Sequence, residues 1–134
     1  MEMQTSGGFS TPERGTYESF LRSHPGRGSL KVQVSTARGT FPVPNALVEV
    51  TKEIDGVNRL LYSRVTDPSG IAERMPLPAQ PVGNSRQEST AEGSGTQYQV
   101  SVYHPAFVPV RGNTVEIYDG IETILPVALE PLVR

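Results

Sequence analysis

The chain has 134 residues, enough for one domain with a substantial core, and a formal net charge of −2. It has no cysteine, and its cations are scattered, so the composition excludes disulfide and thiol chemistry and argues against a nucleic-acid partner. Valine, isoleucine and threonine together outnumber leucine and alanine, which favours strands over helices and excludes a helical bundle.

Residues 1–28 are predicted to form a flexible arm that contains one short helix near residues 11–23. Ser10 is a typical N-cap, and Pro12 and Glu13 suit the first turn. An isolated helix of this length is marginal in water, so it must dock on its own domain or on another chain. The candidate binding residues of this arm are the apolar stripe at i, i+3 and i+4: Tyr17, Phe20 and Leu21.

From residue 30 onward apolar and polar residues alternate, which indicates half-buried strands. The pattern predicts an all-β fold, a seven-stranded antiparallel Greek-key β-sandwich over residues 29–134, with a mobile loop at 78–96. Pro126 predicts an edge position or a bulge for the last strand. The predicted strands cover residues 30–35, 46–54, 57–66, 71–77, 98–103, 108–118 (with a break at Gly112 and Asn113) and 123–129.

Three short segments carry turn chemistry. Asp-Gly pairs predict hairpins where they separate two strands, and the segment TDPSG at 66–70 predicts a turn in which an Asp side chain bonds its own backbone and Gly takes a positive φ. The predicted structural turn residues are Asp55, Gly56, Asp67, Gly70, Asp119 and Gly120.

A family resemblance rests on the segments 28–34 (GSLKVQV), 44–50 (PNALVEV), 66–71 (TDPSGI), 98–102 (YQVSV) and 104–107 (HPAF). In this order they resemble carboxypeptidase-regulatory-like domains, which have the transthyretin-like (prealbumin-like) sandwich. Asn45 and Ala106 stand where that pattern usually has glycine. Residues 115–124 (VEIYDGIETI) resemble the corresponding module of clostridial spore-cortex-lytic and related peptidoglycan-associated proteins. The resemblance implies a non-catalytic spacer, stabiliser or binding unit.

Catalytic groups are sparse in the sequence. The two histidines, His24 and His104, are far apart along the chain, and no zinc-peptidase spacing occurs. The transthyretin fold also hosts 5-hydroxyisourate hydrolase, but the chain ends EPLVR, without the Tyr-Arg-Gly-Ser tail of that enzyme. We therefore expect no enzymatic activity, no cofactor and no metal site.

The leading functional hypothesis is a non-catalytic interaction or assembly module that binds through the arm and through exposed strand edges. Two alternatives stay open: a peptidoglycan- or glycan-binding module of a spore or cell envelope, and a structural subunit of a phage-tail-like particle. The expected partner is another protein or an envelope assembly, with peptidoglycan among the candidates and oligomerisation open. No signal peptide or membrane span is predicted, so a cytoplasmic start is expected, with later spore or envelope association left open.

Overall fold

The computed structural model describes residues 10–37, 39–81 and 95–133, and gives residues 10–15 as helical backbone only. Within this part of the chain, one helix precedes eight strands. The elements are α1 (Ser10–Ser23), β1 (Gly26–Thr36), β2 (Phe41–Pro42), β3 (Leu47–Ile54), β4 (Val57–Val65), β5 (Ile71–Ala79), β6 (Thr96–Tyr103), β7 (Val110–Ile117) and β8 (Glu122–Ala128).

The strands form two sheets. In the first sheet β1 is central, with β5 and β2 antiparallel to it and β8 parallel to it. Ser35 of β1 lies opposite both Pro42 of β2 and Ala128 of β8, so β2 and β8 flank opposite edges of β1. The second sheet is antiparallel throughout, in the order β4-β3-β6-β7.

The core lies between these sheets because alternate residues of each strand point inward. The pattern is clearest in β1 and β6, where every second side chain is buried. The largest fully buried side chains are Tyr98, Leu30, Met75, Leu77, Ile117, Val32, Val34, Val48, Val50, Val100 and Val102. The all-β sandwich expected from the alternation is therefore present.

The prediction of seven antiparallel strands is wrong, because the described chain has eight strands and one mixed sheet. The additional strand, β2, is a two-residue segment in a predicted loop. After β7 the chain crosses from the second sheet to the first, where β8 runs parallel to β1. The Asp119–Gly120 pair therefore makes this crossing turn instead of a hairpin: Arg27 N donates to Asp119 Oδ1 and Gly120 N donates to Arg27 O.

Other boundaries differ by a few residues. β7 is one strand through Gly112, whose φ is +66°, and the predicted break corresponds to a register shift in its pairing with β6 at this point. Residues 78, 79 and 96, predicted as loop, belong to β5 and β6. Residues 82–94 and the arm residues 1–9 lie outside the described part of the chain, so the mobility of both segments stays a prediction. Pro126 lies in β8, which pairs with β1 alone within the described residues, as an edge position requires.

The local turns form as their sequences indicate. Asp55 and Gly56 have φ values of +51° and +81° and join β3 to β4 in a hairpin. Asp67 Oδ1 accepts hydrogen bonds from the backbone amides two and four residues later, at 2.9 and 3.0 Å. Gly70 has a φ of +78°. These contacts position the start of β5 beside β1.

Candidate interaction surface

Helix α1 packs on its own domain through Phe20, which is 9% exposed and joins the core. The Phe20 ring stacks on the His24 ring with their centroids 4.3 Å apart. Tyr17 is half-buried, and the guanidinium of Arg59 lies 4.7 Å from the centre of its ring. Leu21 remains 37% exposed. Of the three candidate arm residues, Phe20 and Tyr17 thus contact the chain's own sandwich, and binding to a partner by the stripe stays a prediction.

A cationic group lies beneath the helix. Lys52 Nζ donates a hydrogen bond to Gln97 O at 2.7 Å and lies 5.7 Å from the ring centre of Phe20 and 5.3 Å from that of Tyr98. Burial lowers the pKa of Lys52. The fully buried Tyr98 hydroxyl donates to Pro78 O at 2.5 Å, and burial raises the pKa of Tyr98. This cluster lies beside Phe20 of α1 and was not anticipated, because a lysine in an alternating strand is normally solvent-facing.

One edge of the second sheet is formed by β4, which pairs with β3 alone among the described strands. We call its unpaired side the β4 edge, residues Val57–Val65. A bulge at Leu61 divides it, because Val50 pairs with Tyr62 whereas Thr51 pairs with Leu60. Ser63, Arg64 and Val65 are all exposed. The part of the β4 edge after the bulge therefore presents both its backbone and its side chains to solvent.

An apolar row begins at this edge and crosses the outer face of the sheet. Leu47 lies opposite Val65 on one side and Tyr103 on the other. Val65 is 59% exposed, and the other two side chains are half-buried. Beside the row is an open depression of about 410 Å³, lined by Asn45, Leu47, Tyr103, His104, Pro105 and Pro109. The row and the depression could receive an apolar side chain of a partner.

Both histidines form hydrogen bonds close to their own positions in the chain. His104 Nδ1 accepts a hydrogen bond from Ala106 N at 3.1 Å, within its own turn. His24 Nδ1 lies 2.9 Å from Ser23 Oγ and 3.0 Å from Phe20 O, at the end of α1. Among the residues that the structure describes, no three His, Asp or Glu side chains are grouped as metal ligands. No helix in the same part of the chain has the length and apolar character needed to cross a membrane.

The polar end of β7 carries a hydrogen-bonded carboxylate. Tyr118 Oη donates to Glu116 Oε1 at 2.5 Å, and Gln97 Nε2 donates to Glu116 Oε2 at 3.3 Å. Both bonds favour the ionised carboxylate, and the bond from Tyr118 contributes most, so the pKa of Glu116 is lowered. The same bond raises the pKa of Tyr118.

The Tyr118→Phe variant should raise the pKa of Glu116 toward its ordinary value, because the stronger of the two hydrogen bonds is lost. Carbon-13 NMR titration of the glutamate carboxylates measures this shift. Since folding lowers the pKa of Glu116, its stabilisation is present above the unfolded pKa and is lost as the pH falls through the folded value. Tyr103→Phe, on the outer face, should leave the Glu116 pKa unchanged. An unaltered Glu116 pKa in Tyr118→Phe would contradict this explanation.

Comparisons with known proteins give fold likeness only. No family model matches the chain, and no curated protein matches it significantly. Among solved structures, the chain is similar to the Bacillus anthracis TIE protein, at 21% identity and a TM-score of 0.54, over 80% of this chain and 17% of that one. It is similar to a streptococcal ancillary pilin, at 14% identity and a TM-score of 0.59, over 81% of this chain and 30% of that one.

Enzymes are also among the similar structures. Catechol 1,2-dioxygenase from Acinetobacter sp. ADP1 matches at 14% identity and a TM-score of 0.51, over 81% of this chain and 53% of that one. The chain thus spans from about a sixth to about half of the length of these proteins. These similar structures contain β-sandwich domains of proteins with different activities. The similarity therefore supports the fold, and the activity of this chain has to be inferred from its own residues.

Proposed function

We propose that this chain is a non-catalytic interaction module of the carboxypeptidase-regulatory-like type, which binds another protein of an assembly through its β-sandwich. The observation that carries the proposal is the β4 edge, where an exposed backbone lies next to the apolar row of Val65, Leu47 and Tyr103. Exposed strand edges bind extended partners through main-chain hydrogen bonds, and apolar side chains beside them add affinity.

Two further points support a binding role over a catalytic one. Each histidine ring is hydrogen-bonded within its own turn or helix end. The similar structures include a streptococcal ancillary pilin. Protein–protein assembly is therefore the class of function that we carry over to this chain as a proposal.

The arm contributes to this function in a secondary way. Phe20 is committed to the core of its own domain, so the stripe offers a partner mainly Leu21 and the outer side of Tyr17. We propose that Leu21 contacts the partner at the border of the interface, where truncation of a side chain usually costs little affinity.

The test uses the full chain as bait in a lysate of the native host. Three baits are compared: the wild type, Leu21→Asp, and an unfolded sample of the wild type. We expect the two folded baits to retain the same protein, with Leu21→Asp weakened by less than about threefold. A point substitution is preferred to removal of the arm, because deleting α1 would uncover the core around Phe20.

Two outcomes would contradict the proposal. If Leu21→Asp abolishes retention, the arm and not the sandwich recognises the partner. If no protein is retained but the chain co-sediments with purified peptidoglycan, and a soluble glycan fragment raises its melting temperature, the module binds glycan.

A further inference from the structure

The edges of the two sheets differ in how well they are protected against a further strand. Proline and irregular backbone are the usual protection, because they remove a donor or twist the edge. Within the described chain, four edge strands carry such residues: Pro42 in β2, Pro126 in β8, Pro76 and Pro78 in β5, and Gly112 at a register shift in β7. The nine residues of β4 include neither proline nor glycine.

Among the described residues, the protection of β4 consists of the bulge at Leu61, positive charge and the hydrogen bond that the Tyr62 hydroxyl donates to Pro76 O of β5 at 2.7 Å. Before the bulge, Arg59 stacks on Tyr17 of α1, so the helix borders this half of the edge. After the bulge, residues 62–65 contain no further bulge, proline or glycine. The guanidinium of Arg64 lies 5.0 Å from the ring centre of Tyr62, which holds this cation beside the edge. The half after the bulge is therefore the part of the edge that can accept a strand.

Charge decides which strand fits. β4 contains two arginines and no acidic residue. If residues 62–65 of two copies paired antiparallel about a centre at Arg64, the two Arg64 side chains would lie opposite each other. Like charges placed opposite each other destabilise a strand pair, so self-pairing in this register is disfavoured. An incoming strand with carboxylates beside Arg64 is favoured for the same reason.

The two faces of the edge require different side chains. Arg64 lies opposite the buried Val48, on the core-facing side of β4. The outer side carries Val65, and Glu49 lies on the same side opposite Ser63. Carboxylates of the incoming strand therefore suit the side of Arg64, whereas its other side must be apolar to meet Val65 and to avoid Glu49. A strand in which acidic and apolar residues alternate has this arrangement, because successive side chains point to opposite faces.

We propose that the half of the β4 edge after the bulge binds an extended peptide in which acidic and apolar residues alternate, and that Arg64 determines the preference for acidic residues. The inference rests on the proposed function in that it takes the partner to be a protein. It adds the location of the contact, residues 62–65, and the chemistry of the segment that binds there.

The test uses a synthetic peptide of about ten residues that alternates valine and glutamate, added to the full chain at low salt. We expect saturable binding by isothermal titration calorimetry. The Arg64→Ala variant should bind about three- to fivefold more weakly. The matched control is Arg111→Ala, because Arg111 is also exposed, stacks on Tyr103 at 5.8 Å, and lies on the opposite edge strand, β7. This control should change binding by less than about twofold.

Two further measurements distinguish strand addition from a purely ionic contact. Backbone amides among residues 62–65 should exchange hydrogen more slowly in the presence of the peptide, whereas those of β7 should not. A peptide with lysine in place of glutamate, and one with a central proline, should each bind at least about fivefold more weakly. Equal binding of the lysine peptide, equal binding by Arg64→Ala, protection at β7 instead, or no binding would each overturn the inference. If the partner from the lysate is retained equally by wild type and Arg64→Ala, the proposed function stands and this inference fails.

Discussion

The Gly70→Val variant should lose about 3–5 kcal/mol of its free energy of unfolding. Gly70 has a φ of +78°, a conformation that a β-branched residue adopts only with strain. It is also buried against β1, and a Cβ atom at this position would overlap the carbonyl oxygen of Val34. That neighbour is backbone and cannot rotate away, because Val34 O also accepts the hydrogen bond from Val43 N at 2.9 Å. Urea unfolding followed by circular dichroism measures the loss.

The matched control is Gly56→Val, in the β3–β4 hairpin. Gly56 has a similar φ of +81°, but nothing lies within 4 Å of where its Cβ would be. This variant carries the cost of the conformation, about 1–2 kcal/mol, without the overlap. If the two variants lose equal stability, the overlap with Val34 does not contribute. A Gly70→Val protein as stable as the wild type would show that the turn at Asp67–Gly70 is not as described.

Sequence reasoning succeeded where the controlling interactions are local. The turn at Asp67 could be predicted because its hydrogen bonds join residues only two and four positions apart. The β3–β4 hairpin followed from Asp55 and Gly56 for the same reason. In both cases the residues that specify the conformation are the residues that adopt it.

The topology of the first sheet could not be predicted in this way. β8 lies beside β1, roughly 90 positions earlier in the chain, and the alternation of β8 is the same for a parallel and an antiparallel neighbour. The Asp119–Gly120 pair indicates a turn, but it does not predict which sheet the next strand joins. The hydrogen bonds to Arg27 decide this, and they join residues that the sequence pattern does not connect.

The candidate surface was anticipated only in part. The stripe of Tyr17, Phe20 and Leu21 could be identified from its spacing, but the surface that Phe20 contacts depends on the tertiary structure. The β4 edge was beyond sequence reasoning, because a half-buried strand at an edge and one inside a sheet share the same alternation. The absence of proline and glycine from residues 57–65 was the available signal. It indicates an unprotected edge only once β4 is known to be an edge strand.

The segment between β2 and β3 depends on one buried hydroxyl group. Thr66 is 3% exposed. Its Oγ1 donates to Val43 O at 2.8 Å and accepts from Ala46 N at 2.9 Å, so it pairs two backbone groups of the preceding loop. The backbone of Thr66 bonds to the same loop, through Asn45 N to Thr66 O and Thr66 N to Ala46 O. The side chain thus fixes the loop that leads into Leu47 and the apolar row.

We expect Thr66→Val to lose about 2–4 kcal/mol in its free energy of unfolding, because the shape is kept while two buried backbone groups lose their partner. Thr66→Ser, which keeps the hydroxyl, should lose less. The matched control is Thr96→Val: Thr96 is 5% exposed, and its Oγ1 has no hydrogen-bond partner among the described residues. Removing that hydroxyl should be neutral or stabilising, because its desolvation is not compensated there. Urea unfolding of the three variants measures the difference, and an equal loss in Thr66→Val and Thr96→Val would mean that the hydrogen bonds of Thr66 do not hold the loop.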